Sequence, residues 1–266
     1  MSILDQIVAD KRVEVERRKS LYPVKLLEES TYFGGKPVSL KSYIQREDKV
    51  GIIAEFKRQS PSKGIINASA KVEKTTIGYM QAGASGLSVL TDEKYFGGKN
   101  EDLITARSFN FCPILRKDFI IDEYQILEAK SIGADVILLI AACLTPEQIK
   151  QFGNFAQSLG MEVLLEVHNE DELNRSLCEP IDLLGVNNRN LATFETSIEV
   201  SKALASKIPN EFVKVSESGL SDPQSLIELG ECGYEGFLIG ESFMHKGSPQ
   251  KACAEFIKKV KALKAK

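Results

Sequence analysis

Long apolar runs are missing from this 266-residue chain. The longest, Val136–Leu144, is half of the roughly 18 residues needed to span a membrane, and Met1–Lys11 contains acids but no apolar h-region, which argues against a signal peptide. Histidine is scarce. His168 and His245 lie far apart and neither sits in a ligand motif, so zinc is unsupported and no metal or cofactor is expected. The five cysteines (Cys112, Cys143, Cys178, Cys232, Cys253) form no Cys-x-x-Cys pair. Their odd count and wide spacing favour reduced thiols in a cytoplasmic protein. There is no basic excess: 34 Lys and Arg stand against 37 Asp and Glu, for a formal charge of -3. Nucleic acid is therefore a poor partner, and the expectation is a monomer acting on a small molecule away from membranes. No low-complexity linker divides the chain.

What is present centres on Ile52–Gly64, IIAEFKRQSPSKG. A strand has a side-chain period of two, so Glu55, Lys57 and Ile53 share one side while Ile52, Ala54 and Phe56 face the other. The Ser60–Gly64 stretch that follows has turn chemistry, with Pro fixing φ and Gly permitting positive φ. This reads as the first strand of an α/β fold with an acid and a base at its end. Seven further apolar, β-branched runs follow, at Gly86–Leu90, Cys112–Arg116, Asp135–Ile140, Met161–Val167, Ile181–Val186, Phe212–Ser216 and Gly236–Ile239. Helical segments separate them, at 71–82, 101–108, 122–132, 146–159, 170–177, 196–206 and 223–231, and 249–263 closes the chain. Asp122, Thr145 and Asp222 are placed to cap, and Gly83, Gly133, Gly160 and Gly233 to end helices. Eight βα units argue for a parallel (β/α)8 barrel. An open doubly wound sheet would need a Gly-rich turn after the first strand, and Gln59–Ser62 is not one.

Before the barrel, residues 2–20 read as a helix. Ser2 caps it with Asp5 three residues on, and Ile3, Leu4, Ile7 and Val8 make an apolar stripe. Lys11, Arg12, Glu14, Arg17 and Arg18 read as its solvated side. A second short helix and a Gly34-Gly35 loop fill 21–50. The expected organisation is one domain over 1–266, with 1–48 a helical extension and 49–266 the barrel.

In such barrels the chemistry stands at the C-terminal strand ends. Seven of the eight ends here are polar: Glu55 and Lys57; Thr91–Gly98; Arg116-Lys117-Asp118; Glu166 and His168; Asn187–Asn190; Ser216–Gly219; Gly240–Ser242. By parity Lys117 and Glu166 point into the mouth and Arg116 outward, where a structural ion pair is expected. His168 could share the face of Glu166, though a structural hydrogen-bonded role is the default. Two lysines and three glutamates on one cavity would titrate together and supply proton donors and acceptors. The glycines of Ser218-Gly219 and Gly240-Glu241, with a short segment after the last strand, suit a phosphate held on backbone amides. Glu241 would then turn its side chain out.

These segments, together with ILDQIVADKRVEV, LTDEKYFGG, ILRKDFIID, GADVILLI, LLEVH, GVNNRNL, VSESG and LIGESFM, resemble the indole-3-glycerol phosphate synthase family over essentially the whole chain. The resemblance implies a barrel with its N-terminal helical extension lying over the active-site face. It implies conversion of 1-(2-carboxyphenylamino)-1-deoxyribulose 5-phosphate to indole-3-glycerol phosphate in tryptophan biosynthesis, with loss of CO2 and water. It places the general acid at Lys117 and the base at Glu166. Lys57 would bind the anthranilate carboxylate or act as an acid in dehydration. Glu55 and Asn187 would orient substrate and lysine, and Glu217 and Ser218 match further polar site residues. Arg189 matches a basic residue near the mouth; Ser60, Gly219, Gly240 and Glu241 match the phosphate region. Phe96, Leu115, Phe119 and Leu138 match the apolar walls, although ordinary barrel packing explains such residues equally well. A fused isomerase domain found in some relatives is not expected after 263. Two alternatives stay open: another phosphate-binding barrel enzyme, such as a ribulose-phosphate isomerase, or a barrel that only binds a phosphorylated ligand.

Overall fold

The computed structural model describes residues 2–191 and 193–265; Met1 and Lys266, the ends of the expected 1–266 span, lie outside the described residues. Among those described, eight strands close into a parallel barrel: β1 (Ile52–Phe56), β2 (Gly86–Leu90), β3 (Ile114–Lys117), β4 (Val136–Ile140), β5 (Glu162–Val167), β6 (Leu183–Asn187), β7 (Val213–Glu217) and β8 (Gly236–Ile239). Each pairs with its sequence neighbours, and β1 closes the ring against β8. The expected (β/α)8 barrel is the observed fold.

Alternation sorts the apolar side chains into two layers. Ile52, Ala54 and Phe56 join the layer between strands and helices. Ile53 joins Leu115, Leu138, Leu164 and Val215 in the layer inside the barrel. Burying each of the larger side chains is worth about 1.5–3 kcal/mol relative to exposing it, so a one-residue slip in any strand would cost both layers.

The strands β3, β6 and β7 begin one or two residues later than expected and run one further. Pro113 explains β3, since it has no N–H to give the ladder. The consequence is that Lys117, Asn187 and Glu217 are ladder residues, with Lys117 opposite Leu90 and Asn187 opposite Glu217. Between strands run α4 (Val72–Ala82), α5 (Glu93–Phe96), α6 (Asn100–Phe109), α7 (Glu123–Ser131), α8 (Pro146–Ser158), α9 (Glu170–Ser176), α10 (Glu199–Ala205) and α11 (Pro223–Glu231), with α12 (Glu241–Met244) and α13 (Pro249–Lys264) after β8; α1–α3 precede β1. Asp122, Thr145 and Asp222 cap as expected, and the four helix-ending glycines all have positive φ. Helix α10 starts at Glu199 rather than at 196 because Thr196 is tied to Arg189 in an isolated bridge.

The N-terminal segment divides between the two ends of the barrel. Helix α1 (Ile3–Leu21) has the Ser2–Asp5 capping box, and its Ile3 and Ile7 line the cavity at the C-terminal strand ends. Helix α2 (Val24–Glu28) leads to α3 (Leu40–Ile44), which plugs the opposite end. Leu40 and Ile44 enter the inner layer. A Cβ on Gly86, the first residue of β2, would lie 2.6 Å from Leu40 Cδ1. Glu162, the first residue of β5, accepts from the N–H groups of Leu40 and Lys41 at 2.7 and 3.1 Å and so caps α3 with negative charge. Among the described residues before β1, those lining the active-site cavity belong to α1.

The solvated side expected for α1 needs correction. Lys11 is 1% exposed and its Nζ lies 2.9 Å from Asp92, 3.0 Å from Asp118 and 2.9 Å from Glu14. Burial by itself would lower its pKa, but the three carboxylates outweigh that and raise it. Arg18 pairs with buried Glu128, and Lys19 lies 2.7 Å from Asp122. Lys11 lies on the buried face with Ile7 and Val15 and latches the helix to the loops after β2 and β3, whereas Arg12 and Arg17 stay exposed as expected. Among the described residues no helix is long and apolar enough to cross a membrane.

Candidate active site

The C-terminal strand ends enclose a cavity of about 380 Å³. Its lining includes Glu55, Lys57, Ser60, Phe96, Lys117, Phe119, Leu138, Glu166, Asn187, Arg189, Glu217, Ser218, Gly219, Gly240 and Glu241. One predicted wall residue is not there. Leu115 is fully buried in the inner layer, because it stands two residues before Lys117 on β3 and hence one level deeper in the barrel.

Lys117 is the electrostatic centre. Its Nζ lies 2.7 Å from Glu166 Oε2 and 2.7 Å from Glu217 Oε2. Burial disfavours the ammonium, yet Glu166, Glu217 and the more distant Glu55 outweigh it and raise the pKa. Glu166 is opposed by burial too, but Lys117 and then His168 bring it down to about 2. Asn187 adds a hydrogen bond, donating from Nδ2 to Glu166 Oε1 at 3.2 Å. Glu217 fares differently. Burial pushes its carboxyl up to about 7, because Lys117 is shared with Glu166 and the Glu166 charge repels a second anion. One cation thus serves two acids, and Glu217 is the more readily protonated of the two.

The second pair stands on β1 and just beyond it. Lys57 Nζ donates to Glu55 Oε1 at 2.7 Å, and Ser88 Oγ donates to Glu55 Oε2 at 3.3 Å. Two glycines make room for these acids. A Cβ on Gly240 would lie 2.5 Å from Glu55 Oε1, and one on Gly185 would collide with Glu217 Oε1. Gly185 in the middle of β6, and Ser88 on the inner side of β2, were not singled out from the sequence. The signal for Gly185 was available: glycine inside a strand marks a close approach.

Phe96 and Phe119 form an apolar wall, their ring centroids 6.0 Å apart and tilted by 41°, with Ile3, Ile7 and Leu138 completing the lining. Elsewhere on the rim, Arg189 Nη1 donates to Ser62 Oγ at 2.7 Å. Ser218 and Gly219 take φ of 69° and 75°, a left-handed pair that is costly for serine and occurs where a site demands it. The Glu241 carboxylate is not turned out as expected. It lies 3.3 Å from Arg189 Nη2 and 3.8 Å from Lys63 Nζ, drawn toward the two cations. Arg116 faces away from the cavity, as parity requires, bonding Glu128 at 2.5 Å and the Gln125 carbonyl at 2.9 Å.

The family model for indole-3-glycerol phosphate synthase matches residues 4–256. The indole-3-glycerol phosphate synthase of Bacteroides thetaiotaomicron is 47% identical over 258 residues, covering 97% of this chain and 98% of its own length. That of Acetivibrio thermocellus is 41% identical, covering 96% and 98%. A solved structure described as native KDPGal superposes with a TM-score of 0.58 over 83% of this chain and 98% of its own; at 16% identity it speaks for the barrel fold alone. The chain belongs to the indole-3-glycerol phosphate synthase family.

Proposed function

We propose that this chain closes the indole ring of 1-(2-carboxyphenylamino)-1-deoxyribulose 5-phosphate, releasing CO2 and water to give indole-3-glycerol phosphate. The observation that carries the reading is Lys117, an ammonium held by two buried carboxylates beside an aromatic wall. As the aromatic carbon attacks the ribulose carbonyl, negative charge grows on that oxygen, and Lys117 donates a proton to it. Loss of CO2 then returns the electron pair to the ring. The hydroxyl leaves as water after a second protonation, and Glu166 takes the ring proton that restores the aromatic indole. Lys57, braced by Glu55, either anchors the anthranilate carboxylate or delivers the proton to that leaving hydroxyl. Asn187 orients Glu166, and Glu217, its carboxyl pushed up to about 7, can donate a hydrogen bond to substrate oxygen when protonated.

For the phosphate, the reading uses Ser60, Arg189 and the backbone at Ser218, Gly219, Gly240 and Glu241. Phe96, Phe119 and Leu138 hold the anthranilate ring. An isomerase acting on a free ribulose phosphate would leave that aromatic wall and the Glu55–Lys57 pair unused. Free thiols at all five cysteines favour a reducing, cytoplasmic setting. Helix α1 and the strands contribute to one cavity, which supports reading extension and barrel as a single domain that works as a monomer. Purified protein is expected to turn over this substrate without added metal, followed by indole fluorescence. A signal no greater than buffer, from protein shown to be folded by circular dichroism, would overturn the assignment.

A further inference from the structure

His168 has no part in the steps above, yet both of its ring nitrogens face carboxylates. Its side chain is 10% exposed. Nδ1 lies 3.1 Å from Glu172 Oε2 on α9. Glu172 is itself fixed, accepting from the His168 N–H at 2.8 Å and from Asn169 Nδ2 at 3.0 Å. On the other side, Nε2 lies 3.4 Å from Glu166 Oε1. That nitrogen is buried and makes no hydrogen bond among the described residues, so it meets Glu166 at ion-pair distance only. Glu166 lines the reacting cavity, whereas His168 and Glu172 line a neighbouring one of about 830 Å³.

We propose that His168 is a positioning residue for Glu166, its imidazolium charge set beside Oε1 while Glu172 holds Nδ1, so that Oε2 is left to Lys117 and the substrate. The inference rests on the reading of Glu166 as the base. Its physical content is a change of partner. When Lys117 turns to the developing oxyanion it withdraws from Glu166, and burial would then drive the base toward its protonated, inactive form. Asn187 is neutral and cannot prevent this. The imidazolium can.

The charged groups around the ring favour that form. Glu166 on β5, Glu172 on α9 and Glu217 on β7 face it, and together they outweigh burial and raise the His168 pKa. Lys117 on β3 lies beyond Glu166, and the Cys143 thiol after β4 stays neutral, pushed up to about 12 by burial. Since a cation at His168 lowers the pKa of Glu166, removing it moves the acidic limb of the kcat profile to higher pH.

The test is kcat and KM across pH for wild type, His168→Asn and Glu172→Gln. His168→Asn is expected to lower kcat roughly 10–100-fold, the scale of removing one opposite charge beside a buried carboxylate, with KM changed less than about threefold and the acidic limb raised. Glu172→Gln should move the limb the same way by a smaller amount, and it carries the test alone if His168→Asn does not fold. An unmoved limb in the folded variant overturns the proposal, because a merely structural histidine would lower stability and leave the limb in place. Nitrogen-15 NMR gives a readout independent of turnover: the His168 titration midpoint should fall in Glu166→Gln, and no change would also overturn it. Inactive wild type, or full activity in Glu166→Gln, would instead sink the reading of the base.

Discussion

Lys117 sits between two carboxylates, Glu166 held well below the usual carboxylate range and Glu217 above it. An ammonium so placed is a strong hydrogen-bond donor and an acid only when something more basic than a carboxylate arrives, which is what an oxyanion formed on the substrate supplies. Lys117→Met is therefore expected to lower kcat by about 10²-fold or more, measured under saturating substrate; an unchanged kcat would remove Lys117 from the acid role. Glu217 leads to a different prediction. Its folded-state pKa of about 7 lies above the ordinary 4.5, so its contribution to stability is full below 4.5 and is lost as pH rises through about 7. Glu217→Gln keeps the site neutral. Its urea midpoint relative to wild type should be higher at pH 8 than at pH 4, and an equal difference at both would show that Glu217 does not hold the proton. Glu166 has the opposite sign. Held near 2, it adds stability above 4.5 that is lost only as pH falls toward 2.

At the scale of elements, α1 shows where pattern reading succeeds and where it stops. Ser2, Asp5 and the Ile3–Ile7 stripe are local signals, three or four residues apart, and they place the helix and its apolar side correctly. Lys11 gives no such signal, since its partners Asp92 and Asp118 follow β2 and β3, far along the chain. Asp92 also caps α5, which carries Phe96, and Asp118 adjoins Lys117. Lys11→Met would leave buried Asp92 without its cation and Asp118 with Arg116 alone, 3.3 Å away. The expected loss is about 3–5 kcal/mol in denaturant unfolding, and a loss below about 1 kcal/mol would mean the latch is solvated. Helix α3 teaches the same lesson in the apolar register. Residues 21–50 read only as a short helix and a glycine loop, and it is the closed barrel that supplies the open end filled by Leu40 and Ile44.

For the molecule as a whole, the cavity is a property of closure. Its lining comes from α1 and from strands across the full ring, so no fragment of the chain contains the site and ligand binding is coupled to global folding. Indole-3-glycerol phosphate at about 100 times its Kd should stabilise the protein by about 2.7 kcal/mol, read as a rise in the thermal midpoint with ligand concentration. No rise at any concentration would show that the product does not bind the native state.

Much of this was legible in the amino-acid order itself. Apolar runs with period two, caps before helices and glycines after them are set by neighbours a few residues away, and they determined the eight βα units. The polar strand ends followed, because a barrel exposes its chemistry at one face. Tertiary structure decided what depends on distance through space. It shared one lysine between Glu166 and Glu217, set Leu115 below the cavity, drew Glu241 in toward Arg189, buried Lys11 and brought His168 against the back of Glu166. Each of these turns on burial and on charges a few ångströms apart, and Coulomb energies between groups distant in sequence leave no period in the chain.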